Sequence, residues 1–424
     1  MSDTHRPGIV TLPTSSALPA PWHSENGAPP PQSLIVADDT LSAGAAYSLA
    51  CEGTALLWQG TYPGALRLLH AMRRRAERRR PRSTPDSPAD AFRQHRRERA
   101  RLARVLGTLL VPLGADHRVR LHRAPDVREA CLTAYGPLLD NRIVSLRELL
   151  GVIGAHQWRT TGVEVPALGA RIHPHYGVFS PVRGEYVDLV ARAPLPPAAR
   201  TGPTATAQDL GTGTGVLAAL LARRGLREVL VTDANPRALA CARDNARRLG
   251  LADRIRIAGT GLYPPGHDRA ALIVCNPPWL PGRPSSSLDE GVFDRDGRML
   301  RGFLDGLADR LLPGGEGWLV LSDLAEHLGL RSRADLLGAV SEAGLRITGR
   351  LDTVPRQPPG HRPRSGRSPP ARRPRRRGHL ALEAGPRMTP GSLPRTARLG
   401  HVFGRDQSEG FTLATGPDPV DRVA

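Results

Sequence analysis

The sequence of 424 residues contains no lysine, only four cysteines and no long hydrophobic run. The cysteines are Cys51, Cys131, Cys241 and Cys275, and no two of them are close enough to form a CxxC pair. This spacing excludes a disulfide framework and a zinc site, so we expect four reduced, buried cysteines in an intracellular protein. No segment is apolar over the length of a membrane span, and the first residues lack the hydrophobic region of a signal peptide. We therefore expect a cytoplasmic protein without membrane contact.

Aromatic residues are also scarce, at 4% of the chain, whereas glycine contributes 45 residues and proline 41. Apolar residues still make up 40%, which is enough for a hydrophobic core. This composition is typical of ordered domains joined to disordered segments. We predict disorder in residues 1–32 and in an arginine- and proline-rich tail over residues 357–424. For the tail, three interpretations stay open: a nucleic-acid-binding extension, a passive extension, and a segment translated out of frame.

The formal net charge is +19, and it is concentrated in two segments. Residues 71–104 contain thirteen arginines and four acidic residues, and residues 357–424 contain thirteen arginines and five acidic residues. Such segments can bind phosphate backbones, so contact with nucleic acid through residues 71–104 is one interpretation. A solvated arginine-rich helix is an equally good alternative.

Residues 33–165 have a mainly helical pattern. "SLIVADD" (33–39) predicts one strand, and helical patterns cover residues 41–80, 91–111 and 144–158, with Pro63 at a helix start. This half contains no recognisable catalytic cluster. We predict a mainly helical N-terminal domain.

From residue 166 to residue 356 the pattern becomes strand, glycine turn and helix in alternation. Apolar strands are predicted at "TATAQDL", "EVLVTD", "RIRIAG", "AALIVC", "GWLVLSD" and "LRITGRLDTV". Helices are predicted between them, the clearest being "PRALACARDNARRLG" from Pro236 to Gly250. Alternation of apolar strands with helices predicts an α/β domain with a parallel, doubly wound sheet.

The first predicted turn of this sheet, "DLGTGTGVLA", contains Asp209, Gly211, Gly213 and Gly215. Glycines in a strand-to-helix turn let the backbone approach a ligand closely. The turn suits a dinucleotide site, a nucleoside site or simply a tight connection, since a glycine-rich turn alone is weak evidence. Asp233 ends the next strand, where a carboxylate can accept both ribose hydroxyls. Its alternative role, capping the helix at Pro236, is one that Asn235 fills equally well.

Two strands later, "ALIVCNPPW" leads from a buried strand into Asn276, two prolines and Trp279. The prolines fix the backbone, so the Asn276 amide and the Pro277 carbonyl point in set directions. Together these two oxygens can accept both hydrogens of a planar NH₂ group, and Trp279 can stack on that group. Taken alone, the tetrapeptide fits an ordinary Asn-Pro turn better.

In combination, the three motifs follow one another in one order on one sheet edge. This order resembles the class I S-adenosylmethionine-dependent methyltransferases, specifically the branch with Asn-Pro-Pro-aromatic motifs. That branch includes the release-factor glutamine methyltransferases (HemK-like), the methyltransferase small domain family and nucleic-acid amino methyltransferases. The resemblance covers residues 172–354 and implies a Rossmann-like methyltransferase sheet.

The resemblance also implies roles for individual residues. The cofactor, S-adenosylmethionine, is expected to be held by Phe179, Asp209, Gly211, Gly213, Gly215 and Asp233, with Asn276 at the border of its pocket. Asn276, Pro277 and Trp279 are expected to hold the target nitrogen. Phe179 belongs to "HPHYGVFSPV", which resembles the segment that closes over the cofactor. One departure is that Gly261 and Leu262 stand where these enzymes usually have an acidic residue near the adenine.

The expected reaction is direct transfer of a methyl group from the sulfonium to a planar nitrogen, with no metal. The predicted acceptor is a glutamine side chain of a release factor, a ribosomal protein or another protein, with an RNA or DNA base as the alternative. By analogy with related enzymes, residues 33–165 are expected to select the substrate. A nicotinamide-dependent dehydrogenase and a non-catalytic RNA-binding protein are competing classes, although neither needs the Asn-Pro-Pro-Trp motif.

Overall fold

A computed structural model of the chain describes residues 20–79, 85–181, 184–200, 205–286 and 288–353, together with the backbone of residues 397–404. Within these ranges, no helix is both long enough and apolar enough to cross a membrane.

The first half of the chain is built on a four-stranded sheet. Its strands are β1 (Ser33–Ala37), β2 (Thr54–Trp58), β3 (Leu109–Leu113) and β4 (Arg142–Ser145). They lie in the order β1-β2-β3-β4, with the first three parallel and β4 antiparallel to β3. The accompanying helices are α1 (Ala43–Cys51), α2 (Tyr62–Arg78), α3 (Pro88–Gly107), α4 (Arg128–Tyr135) and α5 (Leu146–Thr161). Their apolar side chains share one core with one face of the sheet.

The prediction of a mainly helical domain missed three of these four strands. The helical pattern predicted over residues 41–80 is interrupted at Gly53, whose φ of +90° ends α1 before β2. One helix is predicted over residues 91–111, but the observed helix ends at Gly107. The last residues of the predicted range belong to β3. Short apolar runs such as "TALLW" and "LLVPL" cannot be told from buried helix by periodicity alone. The helix start predicted near Pro63 is confirmed, because Thr61 caps α2 with its side chain.

Residues 20–32 also differ from the predicted disorder. Trp22 forms an isolated bridge with Ile143 beside β4, and it packs on the sheet face opposite the helices. Further along, Glu148 accepts hydrogen bonds from the side chains of Ser24 and Asn26. This segment is therefore packed against the first half, while residues 1–19 lie outside the described residues.

The second half contains the strands and helices of the predicted α/β domain. The strands are β5 (Val163–Val165), β6 (Ala170–Ile172), β7 (Thr206–Leu210), β8 (Glu228–Thr232), β9 (Ile255–Gly259), β10 (Ala270–Cys275), β11 (Leu280–Pro281), β12 (Phe293–Asp294), β13 (Leu311–Ser322), β14 (Leu345–Thr353) and β15 (Ala397–Gly404). The helices are α6 (Glu185–Arg192), α7 (Pro197–Arg200), α8 (Val216–Arg223), α9 (Pro236–Arg248), α10 (Arg298–Arg310), α11 (Leu324–His327) and α12 (Arg333–Glu342).

Seven of these strands form one sheet in the order β14-β15-β13-β10-β7-β8-β9, and each neighbouring pair is parallel. Side chains of β10 alternate between two cores. Leu272 and Val274 join the core that includes α8, whereas Ile273 and Cys275 join the core that includes α10 and α12. Helices thus cover both faces of the sheet, which confirms the predicted doubly wound α/β fold.

The strand β15 lies inside the tail that the sequence predicted to be disordered. It pairs with β13 on one side and with β14 on the other. The prediction is therefore wrong for residues 397–404, which gain order from two partner strands despite their weak local pattern. The rest of the tail, residues 357–396 and 405–424, lies outside the described residues.

The four cysteines are free thiols, and three of them are buried as predicted. Cys51 is the exception, because it ends α1 and is exposed. Among the described residues, no group of histidine, cysteine and acidic side chains is arranged to hold a metal ion.

Candidate functional site

The candidate site lies where three neighbouring strands end at one edge of the large sheet. The last residue of β7 pairs with the last residue of β8 on one side and with the last residue of β10 on the other. Gly211, Asp233 and Asn276 are the residues that directly follow these three strand ends. Because paired strands lie roughly 4.8 Å apart, the backbones of Gly211 and Asn276 are neighbours, with Asp233 on the other flank of the loop.

The loop between β7 and α8 has glycine at each left-handed backbone position. Gly211, Gly213 and Gly215 have φ values of +71°, +55° and +79°. A Cβ at Gly211 would collide with Cε of Met299, and a Cβ at Gly215 would lie 3.1 Å from Cα of Ala242. A Cβ at Gly213 would meet nothing within 4 Å. The loop is therefore tightly packed at both ends and open in its middle.

Asp209 lies beneath this loop. Its side chain is 1% exposed, and its Oδ2 accepts hydrogen bonds from Thr212 Oγ1 at 2.7 Å and from the Ala218 amide at 3.0 Å. The carboxylate therefore fixes the loop and the first turn of α8 from below. A positioning role fits this placement better than the predicted direct contact with the cofactor, because the open space lies beside Gly213.

Burial raises the pKa of Asp209 to about 7, against the hydrogen bonds from Thr212 and Ala218, which lower it. The nearby Asp233 carboxylate raises this pKa further. The ordinary pKa of an aspartate is about 3.9. Since the folded-state pKa is the higher one, protonation of Asp209 stabilises the fold at low pH. That contribution is lost as the pH rises through about 7.

We therefore expect Asp209→Asn to flatten the pH dependence of stability. The amide keeps an oxygen for both hydrogen bonds but does not ionise. Between pH 5 and pH 8, the free energy of unfolding should fall more for the native chain than for the variant, by roughly 1–3 kcal/mol. Urea denaturation across this pH range measures the difference. Parallel pH profiles for the two proteins would contradict the predicted ionisation of Asp209.

Asp233 faces the same loop from the end of β8. Its Oδ2 accepts a hydrogen bond from the Gly213 amide at 2.9 Å, and its Oδ1 accepts one from the Asn235 amide at 2.8 Å. Asn235 caps α9, since its side-chain oxygen accepts a hydrogen bond from the Arg237 amide. The cap is thus provided by Asn235, which leaves Asp233 beside the open part of the loop. Burial raises the pKa of Asp233, while the two backbone hydrogen bonds lower it.

Asn276 is held in place by Trp279. The indole Nε1–H donates a hydrogen bond to Asn276 Oδ1 at 2.8 Å, which fixes the orientation of the amide because an indole nitrogen only donates. Pro277 is buried, and its carbonyl accepts no hydrogen bond from the described residues. The Trp279 ring packs against the core that includes Phe303. Trp279 therefore positions Asn276, a role that the sequence did not indicate, in addition to the predicted stacking.

The segment from His173 to Pro181 crosses from the first half of the chain towards the site. Gly177 adopts a φ of +74°, and Val178 packs against Ala238 and Cys241 of α9. Phe179 lies against Gly291, where an added Cβ would be 3.0 Å from the Cβ of Phe179. The next residue, Ser180, has a buried hydroxyl oxygen without a hydrogen-bond partner.

The loop after β9 contains Gly261 and Leu262, at the place where the resemblance predicts an acidic residue. The hydroxyl of Thr232 donates a hydrogen bond to the Leu262 carbonyl at 2.6 Å, and the Leu262 side chain packs against the core that includes Leu304. The loop is therefore tied to the end of β8, and it offers backbone and apolar groups at this position.

Two further polar residues, Asp294 and Asn245, hold the site together, and the sequence did not indicate them. Asp294 is buried and accepts hydrogen bonds from the amides of Met299 and Leu300, both at 3.1 Å, so it fixes the start of α10 and places Met299 over Gly211. Asn245 of α9 donates a hydrogen bond to the Thr214 carbonyl at 2.9 Å and accepts one from the His173 amide at 2.8 Å. The sequence feature that could have indicated Asn245 is a polar residue on the apolar face of a predicted helix.

A helix from the first half packs on the loop that follows Trp279, which we call loop 280–294. The ring of Phe92 on α3 lies 6.3 Å from the ring of Phe293, measured between centroids. The guanidinium of Arg96 lies 3.9 Å from the centroid of Phe293, and its Nη2 donates a hydrogen bond to the Arg283 carbonyl at 2.7 Å. The two halves of the chain therefore meet directly beside Asn276 and Trp279.

These features fit a nucleoside cofactor with a positive charge. Gly213 borders open space, and the Asp233 carboxylate adjoins that space. A cation placed there would favour the ionised forms of Asp233 and Asp209, whose pKa values are both raised. A carboxylate beside open space can accept hydrogen bonds from ribose hydroxyls and attract a sulfonium cation, the groups that S-adenosylmethionine carries.

Comparison with known proteins identifies the class. Residues 169–334 match the methyltransferase small domain family. This match confirms that the domain is that of an S-adenosylmethionine-dependent methyltransferase, an enzyme whose cofactor is S-adenosylmethionine.

The individual proteins that are similar to this chain match it over only part of its length. A release factor glutamine methyltransferase from Moorella thermoacetica is 41% identical over 118 residues, which cover 27% of this chain and 42% of the relative. One from Bordetella pertussis is 37% identical over 155 residues, covering 31% and 56%. A ribosomal protein L11 methyltransferase from Pelotomaculum thermopropionicum is 39% identical over 74 residues, covering 18% and 24%. The chain therefore spans less than two thirds of the length of each of these relatives.

Proposed function

We propose that this chain is an N-methyltransferase that transfers a methyl group from S-adenosylmethionine to a planar amide or amino nitrogen. The acceptor in this proposal is the side-chain amide of a glutamine in a protein of the translation apparatus, such as a release factor or a ribosomal protein. The observation that carries the proposal is the register of β7 and β10, which places Asn276 beside Gly211. The names of the relatives support an acceptor that serves in translation.

The residues after β10 suit the acceptor nitrogen. Asn276 Oδ1 uses one lone pair for the Trp279 indole and retains the other, and the Pro277 carbonyl is unpaired among the described residues. These two oxygens would accept the two hydrogens of a planar NH₂ group and stabilise positive charge as it grows on the nitrogen. The cofactor supplies an electrophilic methyl group when it is bound. The nitrogen lone pair would form the new N–C bond as the S–C bond of the sulfonium breaks, so that S-adenosylhomocysteine leaves as the neutral thioether. The methylated nitrogen would then lose its extra proton to water. Alignment of the two groups would account for much of the rate.

The cofactor side of the proposal uses the loop after β7. Gly211, Gly213 and Gly215 would let the backbone approach the cofactor, and Asp233 would accept the ribose hydroxyls. Phe179 would close the pocket from the crossing segment. Residues 166–356 would carry the transfer, and residues 33–165 would select the acceptor, a role supported by the packing of α3 on loop 280–294.

An RNA or DNA base is the alternative acceptor, because its amino group has the same planar outline. The feature that favours it is the arginine-rich pair of helices α2 and α3, one of which contacts loop 280–294. Stacking platforms are absent from the surface of this helix pair, since Tyr62 and Phe92, the two large aromatic side chains of α2 and α3, are buried. Base recognition commonly uses exposed aromatic rings. This observation supports the protein acceptor.

The decisive experiment labels acceptors directly. The purified chain is incubated with a bacterial lysate and S-adenosylmethionine carrying a tritiated methyl group, and the labelled material is then treated with protease or nuclease. We expect the label to be lost with protease and retained with nuclease. Loss with nuclease alone would establish the alternative acceptor.

A binding measurement without an acceptor separates the competing classes. Thermal stabilisation by S-adenosylhomocysteine, with none from NAD, is expected for a methyltransferase. Stabilisation by NAD alone would contradict the proposal and favour a dehydrogenase.

A further inference from the structure

The arginine-rich helix α3 presents two exposed guanidinium groups beside loop 280–294. Phe92 and Arg96 make the contacts that seat the helix on the loop. At about 100° per residue, Arg93 and Arg97 lie roughly 60° and 100° around the helix from Arg96, both in the same direction. Both side chains are exposed, and as residues one turn apart they are roughly 5–6 Å from each other at Cβ.

The loop brings the backbone of a third arginine, Arg283, against the helix. The Arg283 carbonyl accepts the hydrogen bond from Arg96 Nη2 at 2.7 Å, so the backbone of Arg283 touches the helix at the level of Arg96. The Arg283 side chain is exposed and, like that of Arg97, forms no ion pair among the described residues. We call Arg93, Arg97 and Arg283 the arginine rim. On the loop side of this rim, Arg283 follows Trp279 closely along the chain.

The chemistry of the rim suits carboxylates. Arg93 already binds one, since its Nη2 lies 2.7 Å from Asp90 Oδ1 in an exposed ion pair. Guanidinium groups bind carboxylates through two parallel hydrogen bonds. The described helix α3 also offers no exposed aromatic ring on which nucleic-acid bases could stack, since Phe92 is buried.

We propose that the arginine rim docks an acidic segment of the protein acceptor beside the target nitrogen. This inference rests on the proposed function, because it supplies the recognition surface for the same acceptor. Docking at the rim would place the acceptor chain against loop 280–294, which continues directly from the Asn-Pro-Pro-Trp motif. The positive charge would then act on acceptor binding, and Asn276 would act on the transfer itself.

The test uses the full-length chain and two fluorescent probes, a decaglutamate peptide and a 20-base-pair RNA duplex. The first variant is the double substitution Arg93→Glu/Arg97→Glu. Its matched control is Arg74→Glu/Arg78→Glu on α2, which changes two exposed arginines with the same one-turn spacing and the same charge. Anisotropy titrations at physiological salt give the dissociation constants, and thermal unfolding confirms that all three proteins are folded.

We expect the dissociation constant for the peptide to rise about tenfold in the rim variant and less than twofold in the control variant. The native chain should also bind the peptide at least as tightly as the RNA duplex. Equal losses in the two variants would overturn the proposal by showing a general charge effect. Tighter binding of the duplex, lost only in the rim variant, would overturn it in favour of an RNA surface. Methyl transfer is not measured, so a failure of the proposed function would be seen separately, in the labelling experiment.

Discussion

Replacing Asn276 with alanine should lower turnover by at least about 100-fold while leaving cofactor binding within about twofold of the native value. The reason is that the alanine removes an oxygen that would accept the target N–H and stabilise charge on the nitrogen. The glycine loop and Asp233, which would hold the cofactor, make no hydrogen bond to Asn276 among the described residues. Methyl transfer to the labelled acceptor measures the first effect, and isothermal titration with S-adenosylhomocysteine measures the second.

The matched variant for this experiment is Trp279→Phe. It keeps an aromatic ring in the core but removes the Nε1–H that orients Asn276 Oδ1. Turnover should fall roughly tenfold, because the Asn276 amide remains present but loses the hydrogen bond that fixes its orientation. Retained turnover in Asn276→Ala would reject the role of this side chain. An Asn276→Ala variant that also loses the cofactor would show that the residue serves the pocket and not the acceptor.

The second large expected effect comes from replacing two glycines of the loop after β7. One replacement should mainly lower the stability of the fold, and the other should mainly lower the affinity for the cofactor. Gly215→Ala adds a Cβ that lies 3.1 Å from both Cα and Cβ of Ala242 on α9, at a φ of +79°. Left-handed strain costs about 1–2 kcal/mol, and overpacking against a helix backbone adds about 1–3 kcal/mol. We therefore expect Gly215→Ala to lower the free energy of unfolding by roughly 2–5 kcal/mol, as measured by urea denaturation.

Gly213→Ala is the internal comparison, since its φ of +55° is also left-handed but its Cβ would meet nothing within 4 Å. Its stability loss should be limited to the strain of about 1–2 kcal/mol. Its Cβ would occupy the open space that the proposal gives to the cofactor, so affinity for S-adenosylhomocysteine should fall at least tenfold. Equal stability losses in the two variants, or unchanged cofactor affinity in Gly213→Ala, would contradict the assignment of that space.

Much of the α/β half could be predicted from the sequence because its signals are local. Most of the strands predicted there are short apolar runs, and the ends of a helix such as α9 are marked by recognisable residues, Pro236 at its start and Gly250 just after its end. The strand ends also placed Asp233 and Asn276 at one edge, because parallel strands end on the same side. The register that brings Asn276 next to Gly211 followed from this topology.

Other features depend on contacts between residues far apart in the chain, and the sequence did not reveal them. The hydrogen bond from Trp279 to Asn276 depends on a side-chain rotamer, so stacking alone was expected. The buried position of Asp209 depends on how α8 packs on β7. In the first half, β2 and β3 are short apolar runs that composition and periodicity cannot tell from a turn of buried helix. Their pairing with β1 and β4 decides their conformation.

The packing of α3 on loop 280–294 has a consequence for how such a protein can diverge. The helix belongs to the first half of the chain, and the loop on which it packs belongs to the second half. The contacting residues Phe92 and Phe293 are separated by about two hundred residues. A recombination event that joined this α/β half to an unrelated partner would leave Phe293 and Leu280 without their cover. Inheritance should therefore keep the two halves together, and under the proposed function new acceptors would be acquired through changes on the exposed side of α3.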